Sequence, residues 1–230
     1  MKVTIPEHRI RNFVDLHKVL SRFRGKNWFF RGHGEAEWRL TPKVGRPEFS
    51  LLDERDLLEA WKRRAAEFLQ IQIADEWDLI AVAQHHGLAT RLLDWSMNPL
   101  VAAFFAASHR NRADAYLFAY SPDADPIEGT TDTKPFELQG VAIFRPRCVA
   151  RRIGNQIGIF TVHGQPSTPL DESLSRKDRL ERLIIDSSYR GELLAELDHY
   201  GINRLSLFPD LDGLSDYLNW WYTFTDKSLV

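Results

Sequence analysis

Arg31 follows the aromatic run Trp28-Phe29-Phe30 and precedes Gly32-His33-Gly34. A guanidinium at the end of an apolar run is a permanent charge carried to the edge of a core. It is a planar fork of donors that suits a carboxylate or a pyrophosphate. The glycines beside it allow a ligand to approach the backbone closely. The competing reading is structural glue, an Arg paired with a buried Asp such as Asp94. The segment has neither a Walker lysine nor a GxGxxG spacing, so it is neither of those phosphate loops.

A second polar cluster lies between two apolar stretches: Gln84, His85, His86, Thr90, Arg91, Asp94, Ser96 and Asn98. Polar groups this close to a core must be hydrogen-bonded or must serve a ligand. Neighbouring His85 and His86 on a helix point about 100° apart, so a shared metal ion is not expected. Ser96 sits in Asp-Trp-Ser-Met-Asn, not in a G-x-S-x-G elbow, which argues against a serine hydrolase. Ser96 or Asn98 is also a natural N-cap for the apolar segment that follows Pro99. Two further stretches are Arg151 to Gly164, with Gln156 before a strand ending at His163, and Leu207 to Tyr222. Asp210 and Asp212 in the latter read as helix caps rather than metal ligands.

The elements that must hold these residues follow from periodicity. Helices are predicted over Phe13–Phe23, Leu51–Ile73, Trp77–His86, Leu100–Ser108, Leu193–Tyr200 and Leu214–Tyr222. Strands are predicted over Trp28–Arg31, Glu37–Leu40, Ala115–Tyr120, Val141–Phe144, Ile157–Val162 and Leu183–Ile185. Asp94-Trp95-Ser96 reads as the end of a strand. Ser121–Gln139, rich in Asp, Pro, Gly and Thr, reads as a surface loop, and Ser167–Arg179 as a polar connector. Helices and strands mix without a βαβ rhythm. The expectation is an α+β fold, one domain over residues 1–230, with a mixed or antiparallel sheet flanked by helices.

Composition narrows the function. A chain of 230 residues with 43% hydrophobic residues can bury a large core. Formal net charge is −2 with 27% charged residues, which disfavours a surface basic all over. The single cysteine, Cys148, excludes an internal disulfide and a thiolate zinc site. No stretch approaches the ~20 apolar residues of a membrane span, and the first residues lack the apolar run of a signal peptide. A soluble, cytoplasmic protein with no membrane partner is expected.

Four segments together resemble the FRG domain family, named for a Phe-Arg-Gly triplet, here Phe30-Arg31-Gly32. They are Phe30–Val44, Gln84–Ala106, Asn155–Gly164 and Leu207–Leu214, so the resemblance spans most of the chain. A more distant resemblance is to ADP-ribosyltransferases of the Arg-Ser-Glu type. Phe29-Phe30-Arg31-Gly32 is similar to their Arg-bearing strand, and Asp94-Trp95-Ser96 followed by Ala102–Ala106 is similar to their Ser strand and next helix. The strand that carries their catalytic Glu corresponds to Gln156–Phe160, which offers Gln156 instead. A glutamine can hold a ribose hydroxyl but cannot act as a base.

That resemblance implies NAD as substrate and an acceptor that is a protein, a nucleic acid or water. It implies Arg31, Gly32, His33, Arg91, Asp94, Trp95 and His86 as the dinucleotide-binding set, with Ser96 and Gln156 as catalytic. Arg31 would hold the pyrophosphate, Ser96 would orient the nicotinamide ribose, and Trp95 or a neighbouring aromatic would stack on the nicotinamide. Two alternatives stand beside it. One is a non-catalytic module that binds a nucleotide or a peptide carboxylate. The other is a metal-independent nuclease or phosphoesterase using His85, His86 and Arg91.

Overall fold

The computed structural model describes residues 5–24, 27–35, 38–69, 73, 75–109, 113–128, 133–146 and 158–224. Gln156 and Cys148 lie outside these residues. Among them, eight strands form one mixed sheet. In chain order they are β1 (Glu7–Ile10), β2 (Phe29–His33), β3 (Leu92–Ser96), β4 (Ala115–Ser121), β5 (Ile127–Glu128), β6 (Val141–Arg145), β7 (Gly158–His163) and β8 (Arg179–Ile185). The helices are α1 (Phe13–Leu20), α2 (Glu54–Ala65), α3 (Glu76–His85), α4 (Pro99–Ala107), α5 (Arg190–His199), α6 (Arg204–Leu207) and α7 (Leu211–Phe224). The strand order is β1-β8-β4-β2-β3-β7-β6-β5, with β1–β8 and β5–β6 parallel and the other pairs antiparallel. The α+β expectation holds, and the sheet is the mixed one.

The middle of the sheet is its weakest seam. β2 pairs with β4 through all five of its residues, Phe29 to His33. β3 likewise pairs with β7 through all five, Leu92 to Ser96. Between β2 and β3 the only paired residues are Phe30 and Ser96. Beyond that pair the two strands part. The sheet is thus two four-stranded halves, β1-β8-β4-β2 and β3-β7-β6-β5, joined at one point.

Three apolar clusters hold the halves in place. Alternation in β2 and β3 sends Phe30 and Leu92 to one face and Phe29, Leu93 and Trp95 to the other. On the first face, α4 and α5 pack with Phe30, Leu117 and Leu183, while Trp77, Ile80 and Ala83 of α3 pack on Leu92, Phe144 and Phe160. The opposite face packs Phe29, Leu93, Trp95, Tyr120 and Ile159 under Leu40 and Leu170. α3 and α4 therefore sit on the same face, one on each half, with the seam between them.

Several boundaries differ from the periodicity reading. The helix expected over Leu51–Ile73 is confined to Glu54–Ala65. Asp53 caps its start by accepting the N–H groups of Arg55 and Asp56. Its end is a turn in which the Ala65 carbonyl accepts the N–H of Phe68 and of Leu69. The strand expected over Glu37–Leu40 does not form at Trp38–Leu40, and Glu37 lies outside the described residues. There Thr41 N–H turns back to the Arg39 carbonyl, and Leu40 enters the core as a single anchor. The Ser121–Gln139 loop contains the two-residue β5, and β1 was not anticipated at all.

Candidate functional site

The parting of β2 from β3 opens a cleft of about 480 Å³, within the range of small-molecule sites. Its walls are Arg31, Gly32 and Gly34 from β2 and its exit, Asp94 and Ser96 from β3, Gln84 and His85 from the end of α3, and Ala102, Phe105, Ser108 and His109 from α4 and its exit. Trp38 stands at the lip, 44% exposed.

Arg31 spans the gap. Its Nη1 donates to the Asp94 carbonyl at 2.8 Å and lies 3.5 Å from the Asp94 carboxylate. That carbonyl lies where β3 has already left β2, so the guanidinium supplies a donor that the missing strand pair does not. Burial pushes Arg31 below its ordinary pKa, with Asp94 opposing and the nearby charge of Arg46 adding to it. The Asp94 side chain is 55% exposed, so this is not the buried glue pair considered from the sequence.

His33 is placed behind Arg31 rather than in the cleft. Arg31 Nε donates to His33 Nε2 at 2.8 Å, and His33 Nδ1 donates to the Trp38 carbonyl at 3.1 Å. Those two bonds fix one neutral tautomer. Burial and the charge of Arg31 hold the ring's pKa at about 3. His33 therefore orients the guanidinium from behind.

Gly32 lines the cleft and also has a packing role. A Cβ there would lie 2.1 Å from the Ala102 carbonyl oxygen and 2.4 Å from the Ala106 nitrogen. The close approach is that of the α4 backbone. Ser96 is buried, and its Oγ accepts the Asn98 N–H at 3.0 Å. Asn98 is the N-cap of α4, accepting from Leu100 at 2.9 Å. The capping assignment of Asn98 is thus correct.

Asp94 is tied to α3 by a short relay. Gln84 Nε2 donates to Asp94 Oδ2 at 3.0 Å, and Thr90 Oγ1 donates to Gln84 Oε1 at 2.6 Å. Gln84 was part of the sequence's polar cluster but not of its binding set. Its place at the end of α3, one turn before Gly87, was the available signal.

Three expected residues do not join the cleft by their side chains. Trp95 buries its ring on the far face, where Nε1 donates to Thr161 Oγ1 at 3.1 Å. His86 faces a separate hollow with Leu57, Trp61 and Leu69, while its neighbour His85 lines the cleft. Arg91 is buried against Glu54: its backbone N–H and Nε donate to the two carboxylate oxygens at 2.6 and 2.9 Å. Its guanidinium also stacks on Phe136 at 4.5 Å. Burial pushes the Glu54 carboxyl up, and Arg91 opposes that. We expect Arg91→Ala to leave the buried Glu54 carboxylate without its cation, keeping only the residue-91 backbone N–H, and to cost roughly 3 kcal/mol of stability. Urea unfolding measures that; a variant as stable as wild type would refute the pair's role.

A larger hollow, about 1080 Å³, lies beyond Trp38 around Arg46, Phe49 and Phe136. Size alone does not make it the better site. Arg39 there is already matched by Glu172 and Asp171, and Arg91 by Glu54. Among the described residues no group of three or more His, Cys, Asp or Glu is placed to hold a metal ion. No described helix is long and apolar enough to cross a membrane.

Residues 26–115 match the family model of the FRG domain. Over that stretch the chain is similar to the FRG domain. The matched stretch runs from just before β2 to the first residue of β4, so it contains both walls of the cleft. The segments Asn155–Gly164 and Leu207–Leu214, also quoted for the resemblance, fall outside it. No curated protein and no solved structure matches the chain. The matched stretch thus comprises the Phe30-Arg31-Gly32 triplet, the Asp94 strand, and the helices α3 and α4 on either side of the seam.

Proposed function

We propose that the FRG cleft binds NAD or a related dinucleotide and cleaves its nicotinamide bond. ADP-ribose passes to a protein, to a nucleic acid or to water, as in ADP-ribosyltransferases. The observation that carries this reading is the single-point junction of the two half-sheets with Arg31 in the gap. An elongated anion can lie along such a seam, and a guanidinium already oriented by His33 loses little freedom on binding it. The pyrophosphate takes the place beside Arg31 that the Asp94 carboxylate holds at 3.5 Å. Departure of nicotinamide passes through an oxocarbenium-like state, which demands positioning and electrostatics more than a strong nucleophile. Ring stacking on nicotinamide falls to Trp38 or Phe105, because Trp95 is turned away. Gln156 keeps its expected role on the ribose from the resemblance alone.

The non-catalytic reading shares the same cation, and in either reading an incoming anion must compete with Asp94 for Arg31. Nothing favours the nuclease reading, since His85, His86 and Arg91 face three different surroundings.

NAD should raise the melting temperature, because a ligand that binds only the folded state stabilises it by mass action. Arg31→Lys should remove most of that shift, since an ammonium cannot reproduce the fork. Nicotinamide release followed by chromatography separates the two readings. A thermal shift without nicotinamide release, in wild type and in Gln156→Glu alike, would leave the binding module. No shift at millimolar NAD would end the dinucleotide reading.

A further inference from the structure

The mouth of the cleft holds a pair that no part of the sequence reading assigned. His109, just past the end of α4, lines the cleft. Its Nδ1 lies 3.6 Å from Glu35 Oε1, an ion-pair distance for a protonated ring. The two side chains are 39% and 38% exposed, open enough for water to reach them. Nε2 of His109 has no hydrogen-bond partner among the described residues.

The fold fixes this imidazole from several sides. A Cβ on Gly34 would lie 2.1 Å from His109 Cβ, so a glycine there makes room for the ring. The indole of Trp38 meets it edge-on with centroids 5.1 Å apart. Arg190 of α5 gathers the carbonyls at the end of α4, from Ala106, Ala107 and His109, and also that of Ala113. The backbone that carries His109 is therefore clamped by a buried cation at the negative end of the helix.

The other polar side chains of the cleft are committed elsewhere. The Asp94 carboxylate accepts from Gln84 and faces Arg31. The Ser96 oxygen accepts from Asn98, and His85 packs edge-on against His86 at 5.0 Å. His109 is the cleft imidazole that stands beside a carboxylate, Glu35, at its Nδ1.

We propose that His109, held by Glu35, is the base that takes the proton of the nucleophile attacking NAD in this cleft. The proposal rests on the dinucleotide reading above and names the base that a glutamine at position 156 cannot be. In the hydrolytic step, an oxygen lone pair of water bonds to C1′ of the nicotinamide ribose. The C1′–N bond breaks, and its electron pair leaves with neutral nicotinamide. The proton of the water passes to Nε2 of His109. Glu35 then faces an imidazolium and stabilises it.

The test compares wild type, His109→Gln and Glu35→Gln for nicotinamide release across about pH 5–9, with NAD binding by thermal shift on each. A base of this kind is worth about a hundredfold or more in rate. His109→Gln should bind NAD within about twofold of wild type, release nicotinamide about a hundredfold more slowly, and lose the acidic limb of the pH profile. Glu35→Gln should retain the limb and lose less rate. Other titratable or charged groups near the ring are Arg31, Asp94 and His85 across the cleft, Arg190 beneath, and Arg204 and Asp216 of the adjoining hollow. All of them remain in both variants, so loss of the limb in His109→Gln alone identifies the imidazole. An unchanged rate and limb in that variant, or loss of NAD binding, overturns the proposal while the dinucleotide reading stands. If His109→Gln does not fold, a Glu35→Gln rate equal to wild type overturns it. A wild type that binds NAD yet releases no nicotinamide, or that binds none, overturns the catalytic reading and this proposal with it.

Discussion

Gly32→Ala should destabilise the protein by about 3 kcal/mol or more, or prevent folding outright. The added methyl would meet the Ala102 carbonyl oxygen at 2.1 Å and the Ala106 nitrogen at 2.4 Å. Both are backbone atoms of α4, so no side chain can turn aside to make room. Relief requires lifting α4 from β2. That would expose Phe30, Val101, Ala102 and Ala106, all buried in the same cluster. It would also widen the cleft, because α4 is one of its walls. Gly87→Ala is the control. Gly87 has φ +87 and nothing within 4 Å of its notional Cβ, so only backbone strain of about 1 kcal/mol is at stake. Urea unfolding of the two variants reads the contrast. A Gly32→Ala protein within about 1 kcal/mol of wild type would mean that α4 is not seated on β2 as described.

Acid should unfold this protein earlier than its carboxylates alone would require. His33 is 1% exposed and His163 is wholly buried. Burial lowers both, His33 to about 3 with help from Arg31, and His163 to about 4. His163 Nε2 meets Thr161 Oγ1 at 3.0 Å, while Nδ1 faces the Thr168 backbone without a well-formed hydrogen bond. In the unfolded chain both rings titrate near 6.5. Between about pH 6.5 and the folded values, the unfolded state binds protons that the native state refuses. Stability is therefore complete above about 6.5 and falls as the pH drops. At about pH 4.5 each ring has removed roughly 2.5 kcal/mol. Urea unfolding from neutral to acid pH measures the loss, and imidazole proton shifts followed by NMR assign it. Either ring gaining its proton in the native state near pH 6 would remove its share.

These two expectations meet at the same place. Gly32 lets α4 close on β2, and His33 holds Arg31 from beneath, so consecutive residues of one strand set the cleft's width and the direction of its cation. Acid protonation of His33 removes the acceptor for Arg31 Nε. Anion binding at the cleft should then weaken as the pH falls toward unfolding, even though the anion-binding guanidinium keeps its charge.

The sequence by itself determined most of the local elements, though not β1 and not the extents of α2 and β8. Aromatic and β-branched runs gave β2, β4, β6 and β7. The Asn98-Pro99 cap fixed the start of α4, and the apolar face of Phe13, Leu16 and Leu20 fixed α1. It also suggested that the Arg31 and Asp94 segments are neighbours, since both are apolar runs ending in polar residues, and β2 and β3 do lie side by side. Tertiary structure alone decided the rest, because pairing energies act between residues far apart in the chain. The parting of β2 from β3 depends on each being drawn to its other neighbour, β4 and β7, and neither strand's own residues carry that information. The same holds for side-chain direction. Arg91 and Asp94 are three residues apart in one run, yet Glu54 claims the first at depth and the cleft keeps the second. His86 and His85 differ by a single helical step, which turns one to a separate hollow and the other to the seam. The pairing of Glu35 with His109 brings a turn after β2 to the end of α4, a contact that exists only because Gly32 and Gly34 let the helix lie directly on the strand.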